Sequence, residues 1–276
     1  MTTMDTLLET FMRTFTSLNP GHPMSRRLFL CLICLGIFSG TGTPALSAES
    51  TAPLKELPRA VLRHTPPLFE EWDFEKQLDP DLLPGFSPQT LGHGHPGQWT
   101  VVLEEQGSGQ THALLQSTPC MDPSCYQLLI QENLRVEYVD LSVGILSKFG
   151  TPTSAAGLVL GMQDLKNFYA VLVYPASNTV KAYRFSDGNP VLIADHPVTP
   201  KQRTPWHFLR VQRNTIMSKE FLEISFDNQF ILSIEDSTFH TGRIGFLTTG
   251  DGTFAFDNLR VVELLTSRPL SRPPAY

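Results

Sequence analysis

Residues 157–174, GLVLGMQDLKNFYAVLVY, constrain the fold more than any other stretch of the chain. Two arms dominated by apolar residues flank Gln163, Asp164, Leu165, Lys166 and Asn167, which tolerate turn geometry. The segment therefore reads as two antiparallel strands around a polar turn.

The same punctuation recurs on both sides of it. PPLFEEWDFEKQ places aromatics at Phe69, Trp72 and Phe74, and LDPDLLPGFSP reads as a proline-broken connection whose Phe86 packs inward. Strands are expected from Gln98 to Leu103, His112 to Ser117 and Tyr126 to Ile130. Residues 134–149 read as one long strand, with Val136, Tyr138, Asp140 and Ser142 on one face and Glu137, Val139, Leu141 and Val143 on the other. TVKAYRF at 179–185 turns through Asp187, Gly188, Asn189 and Pro190 into VLIAD, and Asp-Gly is a strong hairpin signal. WHFLRVQRN, FLEISFD, FILSIED, RIGFLTTG and FAFDNLRVVELL complete about a dozen short extended segments. With almost no helical periodicity and no internal repeat, the expected fold is all-β: a two-sheet antiparallel jelly-roll sandwich.

The N-terminal part is of another kind. Met24, Ser25, Arg26 and Arg27 precede LFLCLICLGIF, and Ala45, Leu46, Ser47 and Ala48 follow, which is the order of a secretory signal. The apolar run is short for a bilayer span, which favours a cleaved signal over an anchor. The expected organisation is an N-terminal extension and signal peptide over residues 1–48, a proline-containing linker over 49–67, the jelly-roll domain over 68–264 and a proline-rich tail over 265–276. Removing residues 1–48 takes Arg13, Arg26 and Arg27 with Asp5 and Glu9, moving the net charge from −6 to −7. A mildly acidic chain argues against nucleic acid and anionic membrane surfaces as partners. The expected location is periplasmic or extracellular. There Cys120 and Cys125 of PCMDPSCY are expected to pair as a disulfide, two free thiols being the alternative.

Six motifs in order carry a family resemblance. They are Gly92, Gly94, Pro96, Gly97 and Trp99; Asp140, Leu141 and Ser142; Gly157, Leu158 and Val159 with Asp164, Asn167, Phe168 and Tyr169; Trp206 and His207 with Leu209, Arg210 and Val211; Gly242, Arg243, Ile244 and Gly245; and Phe256, Asp257, Asn258 and Leu259. Together they resemble a family of exported bacterial jelly-roll domains over about residues 68–264. That family is similar to the concanavalin A-like lectin/glucanase and laminin G-like sandwiches, and some of its members are labelled 3-keto-disaccharide hydrolase domains. Relatives usually carry an arginine near the end of the strand that begins at Gly157, where this chain has Leu160, Gly161 and Met162.

Sugar rings lay their C–H faces on flat aromatics beside polar groups. Tyr169, Lys181, Tyr183, Trp206 and Arg210 are therefore the expected ligand-binding residues, lining a groove on the concave sheet if their strand faces converge there, with ordinary core packing as the alternative for the aromatics. Asp164, Asn167 and Asp257 offer oxygen ligands to Ca²⁺, with turn capping and backbone satisfaction as the alternative role. His93 and His95 read as a surface turn, and His207 as a half-buried strand residue. A glucanase-type Glu-x-Asp-x-x-Glu string does not occur, and Glu223 with Asp227 is the nearest spacing, Asp227 serving turn chemistry. The expected function is a non-catalytic exported module that binds glycan or another envelope ligand on its concave sheet. A glycoside-cleaving hydrolase and a structural envelope-interaction protein are the alternatives, since this sandwich hosts many activities.

Overall fold

Fifteen strands account for most of the residues described by the computed structural model, which are 67–76, 83–107, 109–200 and 205–264. The expected signal peptide, all but the last residue of the linker, and the tail lie outside the described residues. The strands are β1 (Phe69–Trp72), β2 (Phe86–Leu91), β3 (Trp99–Gln106), β4 (Gly109–Gln116), β5 (Tyr126–Val136), β6 (Val139–Phe149), β7 (Ala155–Asp164) and β8 (Asn167–Tyr174). They continue with β9 (Thr179–Ser186), β10 (Asn189–Pro197), β11 (Trp206–Ile216), β12 (Lys219–Phe226), β13 (Gln229–Glu235), β14 (Gly242–Thr249) and β15 (Thr253–Glu263). One 3₁₀ turn, Pro175–Ser177, interrupts them. Among the described residues no helix is long and apolar enough to cross a membrane.

All pairings between strands are antiparallel and fall into two sheets. Sheet A runs β13-β12-β11-β6-β15-β4-β3, with β1 paired to the far half of β15; sheet B runs β10-β9-β8-β7-β14-β5-β2. This is the two-sheet antiparallel jelly-roll sandwich that the alternation predicts. The main core lies between the sheets. Leu141, Val143 and Ile145 of β6, Leu209 and Val211 of β11 and Leu222 and Ile224 of β12 meet Leu158, Leu160, Tyr169, Val171 and Val173 of the central hairpin. Each such apolar side chain contributes about 1.5–3 kcal/mol when removed from water.

Two expectations are corrected. Residues 134–149 are not one strand: β5 ends at Val136, β6 starts at Val139, and the chain passes from sheet B to sheet A at Glu137 and Tyr138. Alternation continues on both sides of the break, so it carries no sign of the change of sheet. Phe86 packs inward as expected, edge-on to Trp72 at 5.4 Å, but it opens a strand rather than a connection. That strand, β2, tolerates Pro88 because it lies at an edge of sheet B, where a missing N–H breaks no ladder.

The central hairpin is buried on both faces. Tyr169 and Val171 point into the main core, while Phe168, Ala170 and Leu172 belong to a second cluster drawn from sheet B strands, with Leu91, Leu128, Ile130, Val159, Phe185 and Leu247. In that cluster the ring centroids of Tyr126 on β5 and Phe185 on β9 are 4.9 Å apart. Four interstrand steps separate β5 from β9, about 19 Å in a flat sheet. Sheet B therefore curls steeply, and its concave face is filled by its own side chains along much of its length. Gly157 makes close strand approach possible here, since a Cβ at that position would stand 1.9 Å from the Val171 carbonyl oxygen.

Candidate ligand site at one end of the concave sheet

Where the filling ends, the curl leaves a cavity of about 550 Å³. Tyr126 opens β5, Tyr174 closes β8, and Lys181 and Tyr183 stand two apart on β9, so one face of sheet B presents all four. All four are half-buried. The Tyr174 and Tyr183 hydroxyls lie 3.0 Å apart, and the Lys181 ammonium sits 5.2 Å from the centre of the Tyr174 ring and 3.2 Å from Asp195. Burial and the neighbouring Tyr183 hydroxyl push the Tyr174 phenol far above its usual range, and burial raises Tyr126 as well. These rings stay neutral in water, each a flat apolar surface with a hydroxyl at its tip.

The rim is polar and pinned. Cys120 and Cys125 are joined by the expected disulfide, holding a short loop that exposes Met121. The Cys120 N–H donates to the Gly250 carbonyl at 2.8 Å, the Thr249 hydroxyl donates to the Cys125 carbonyl at 2.9 Å, and Asp122 accepts from the Ser124 N–H at 2.7 Å. Opposite, Asp251 accepts from the Ser154 hydroxyl at 2.6 Å and the Thr151 hydroxyl at 2.7 Å. Those two bonds hold its carboxyl below the ordinary range, so it stays ionised. The arrangement offers stacking surface, one cation, one anion and several hydroxyls.

The five residues expected to share one groove do not. Lys181 and Tyr183 line this cavity. Tyr169 is fully buried between the sheets, where its hydroxyl donates to Asp236 and accepts from the Phe239 N–H at 3.1 Å; burial and Asp236 together push its pKa to about 12. Trp206 and Arg210 share a face as expected, but it is the outward face of sheet A. Trp206 is buried there with Ala113, Leu146 and Ala255 and donates to the Glu105 carbonyl at 3.2 Å. Periodicity places residues on a common face of one strand; it does not say which sheet the strand joins. For the same reason Tyr126 and Tyr174, which line the cavity, were not grouped with Lys181 and Tyr183, although Tyr174 ends the hairpin that drew attention first.

Nor do Asp164, Asn167 and Asp257 assemble as one set. Asp164 accepts both oxygens' bonds from the Asn167 amide at 3.0 Å and caps the Lys166 N–H at 2.7 Å in the β7-β8 turn of sheet B. Asp257 is buried on β15 of sheet A. Its burial raises the pKa to about 6 against opposing bonds from Thr111 and the Asn258 N–H. Its two oxygens already accept hydrogen bonds from Thr111 and Asn258. A different group, Glu137, Glu220 and His240, brings ligand-type atoms within 4.8 Å of one another. The buried Arg213 guanidinium already donates to Glu220 there.

One further pair of carboxyls converges. The Thr111 hydroxyl lies 2.7 Å from Glu75 and 3.0 Å from Asp257. Hydrogen bonds from His112 and Thr111 lower Glu75 to about 2, the opposite of Asp257. One hydroxyl proton serves one acceptor at a time, so Thr111 donates to Glu75 or to Asp257 in turn, and Asp257 also accepts from the Asn258 N–H and side-chain amide. Glu223 and Asp227 form no such pair: Glu223 accepts from Asn214, and Asp227 holds His207 at 2.9 Å and the Phe208 N–H at 3.0 Å. His93 and His95 are exposed.

Strand order and curl together define a two-sheet antiparallel jelly roll. No family model matches the sequence, and no curated protein matches it. Among solved structures the chain is similar to the carbohydrate binding module CBM66 from Bacillus subtilis, at 20% identity over 60% of this chain and 95% of that one, with a TM-score of 0.43. It is also similar to the GH43 protein BlXynB from Bacillus licheniformis, at 13% identity over 70% of this chain and 39% of that one, with a TM-score of 0.48. A third is the VIP36 exoplasmic/lumenal domain in a Ca²⁺/Man-bound form, at 11% identity over 68% of this chain and 87% of that one, with a TM-score of 0.40.

Proposed function

We propose that this protein is an exported, non-catalytic module that binds glycan in the cavity at one end of its concave sheet. The observation that carries the reading is the set of three half-buried tyrosines, Tyr126, Tyr174 and Tyr183, around about 550 Å³ of space rimmed by Lys181, Asp251 and threonine hydroxyls. Flat rings with polar tips suit the alternating C–H and hydroxyl faces of a sugar, and the disulfide-pinned rim limits the ordering a ligand must impose. A glycan array probed with residues 49–276, with hits measured by calorimetry, tests it. Binding weakened about tenfold or more in Tyr183→Ala and Lys181→Met supports the reading; no bound glycan, or hits indifferent to both substitutions, would sink it.

The exposed Glu75 and the Asp257 carboxyl, both within 3.0 Å of the Thr111 hydroxyl, support a second reading, a glycoside-cleaving hydrolase that uses a pair of carboxyls. Release of reducing ends from array hits, abolished in both Glu75→Gln and Asp257→Asn, would select it over the binding module.

A further inference from the structure

The outward face of sheet A carries a second cavity, also about 550 Å³. Its floor and walls follow from register. On β6, Leu141 and Val143 point into the core, so Ser142 points out; on β11, Leu209 and Val211 turn inward and Arg210 outward; on β15, Leu259 and Val261 do the same for Arg260. Arg210 pairs with Ser142 on one side, and Arg260 pairs with Ser142 on the other. Two guanidiniums thus flank one small residue, on strands two steps or about 10 Å apart. The next row continues the trough: Gly144, with no side chain, pairs with Phe208 on β11 and Asp257 on β15.

Both arginines are held by carboxylates. Arg210 donates through Nε to Asp140 at 2.8 Å and through Nη2 to the other oxygen of the same carboxylate. Arg260 donates through Nε to Glu71 at 2.7 Å. A guanidinium has five N–H donors in a fixed fork, so these contacts set its direction without exhausting it. Among the described residues, Nη1 of Arg210 and both terminal nitrogens of Arg260 have no partner, and the two side chains are 51% and 57% exposed. Phe208 supplies an apolar wall, and Ser225, Asn228 and Asn258 supply hydroxyl and amide groups.

We infer that this trough binds an acidic glycan, its carboxylate or sulfate accepting hydrogen bonds from Arg210 and Arg260 across Ser142 while a sugar ring lies against Phe208. The site is on the other sheet from the tyrosine cavity and stands without it. The shared chemistry is an anionic group on a polyhydroxylated ring, and the probes separate its two sources. They are tetragalacturonic acid for the carboxylate, a heparin-derived tetrasaccharide for the sulfate, and cellotetraose as the neutral control.

Titration of each into isotope-labelled protein, followed by backbone amide shifts and by calorimetry, tests the inference. At least one acidic probe is expected to bind about tenfold or more tighter than cellotetraose and to move the amides of Ser142, Phe208, Arg210, Asn258 and Arg260. It should weaken as salt rises from about 50 to about 300 mM. Arg210→Gln and Arg260→Gln should each cost about tenfold in affinity, and Tyr183→Ala should cost nothing. If either arginine variant fails to fold, the shift map of the unsubstituted protein decides. Equal binding of cellotetraose, binding of no acidic probe, or shifts confined to Tyr126, Tyr174 and Tyr183 would overturn it. Retained acidic binding in Tyr183→Ala also separates this site from the proposed glycan cavity.

Discussion

Asp257→Asn should make this protein's stability respond to pH differently from the parent, by an amount that the structure supplies. Asp257 is 1% exposed, and burial moves its pKa from 3.8 to about 6. The folded pKa is raised, so folding opposes the ionised form. Above about pH 6 the group is charged in both folded and unfolded chains, and the folded state carries the full cost of the buried charge. Below about pH 4 it is neutral in both, and that cost is gone. Each tenfold in proton affinity is 1.36 kcal/mol, so the gap corresponds to about 3 kcal/mol. Asparagine never ionises, and any hydrogen bond it fails to reproduce with Thr111 or Asn258 is lost at every pH. Urea unfolding of both proteins at about pH 8 and about pH 4 isolates the titrating part. The variant's stability minus the parent's should be about 3 kcal/mol more favourable at the higher pH. A difference that stays constant across that window would refute the picture of a buried, proton-favouring carboxyl at this position.

Other substitutions have equally definite outcomes. Gly157→Ala places a Cβ 1.9 Å from the Val171 carbonyl oxygen, so the central hairpin cannot keep its pairing, and circular dichroism of the purified variant should show loss of the native sheet signal. Tyr169→Phe leaves the Phe239 N–H and the Asp236 carboxylate each short of a partner in a buried setting and should destabilise by about 2–3 kcal/mol in urea titration; a change below about 0.5 kcal/mol would show that the hydroxyl is not held as described. Replacing both Cys120 and Cys125 by Ser should lower stability by about 2 kcal/mol in urea titration, the chain-entropy value for so small a loop.

Much of the fold was legible because β-strands advertise themselves by period and punctuation. Asp187 and Gly188 both take positive φ, at 53° and 83°, so the Asp-Gly turn falls where that dipeptide predicts it. The alternation over 139–143 separates the faces as expected, and the structure turns Val139, Leu141 and Val143 to the core and Asp140 and Ser142 outward; Val136, grouped with the latter pair, lies in the core because the chain changes sheet between them. What alternation cannot carry is sheet membership. Strands β8 and β9 join one sheet and β11 the other, which divides the expected groove between two faces. Tyr169 illustrates the second loss. A sheet that curls over its own outer face buries both sides of β8, so a strand lacking a polar side gives no hint of which aromatic is core and which faces ligand. Register across strands was invisible as well, and the Arg210, Ser142 and Arg260 row exists only through it.

The curl of sheet B also dictates how the tyrosine cavity comes into being. Its walls are gathered from residues as far apart in sequence as Cys120 and Asp251, and closure depends on β5 reaching β9 across three intervening strands. Such distant pairings make for slow assembly, and the cavity forms only as the sheet is completed. No proteolytic piece lacking β5, β9 or β14 would retain the cavity, so an intact cavity marks the fully formed domain.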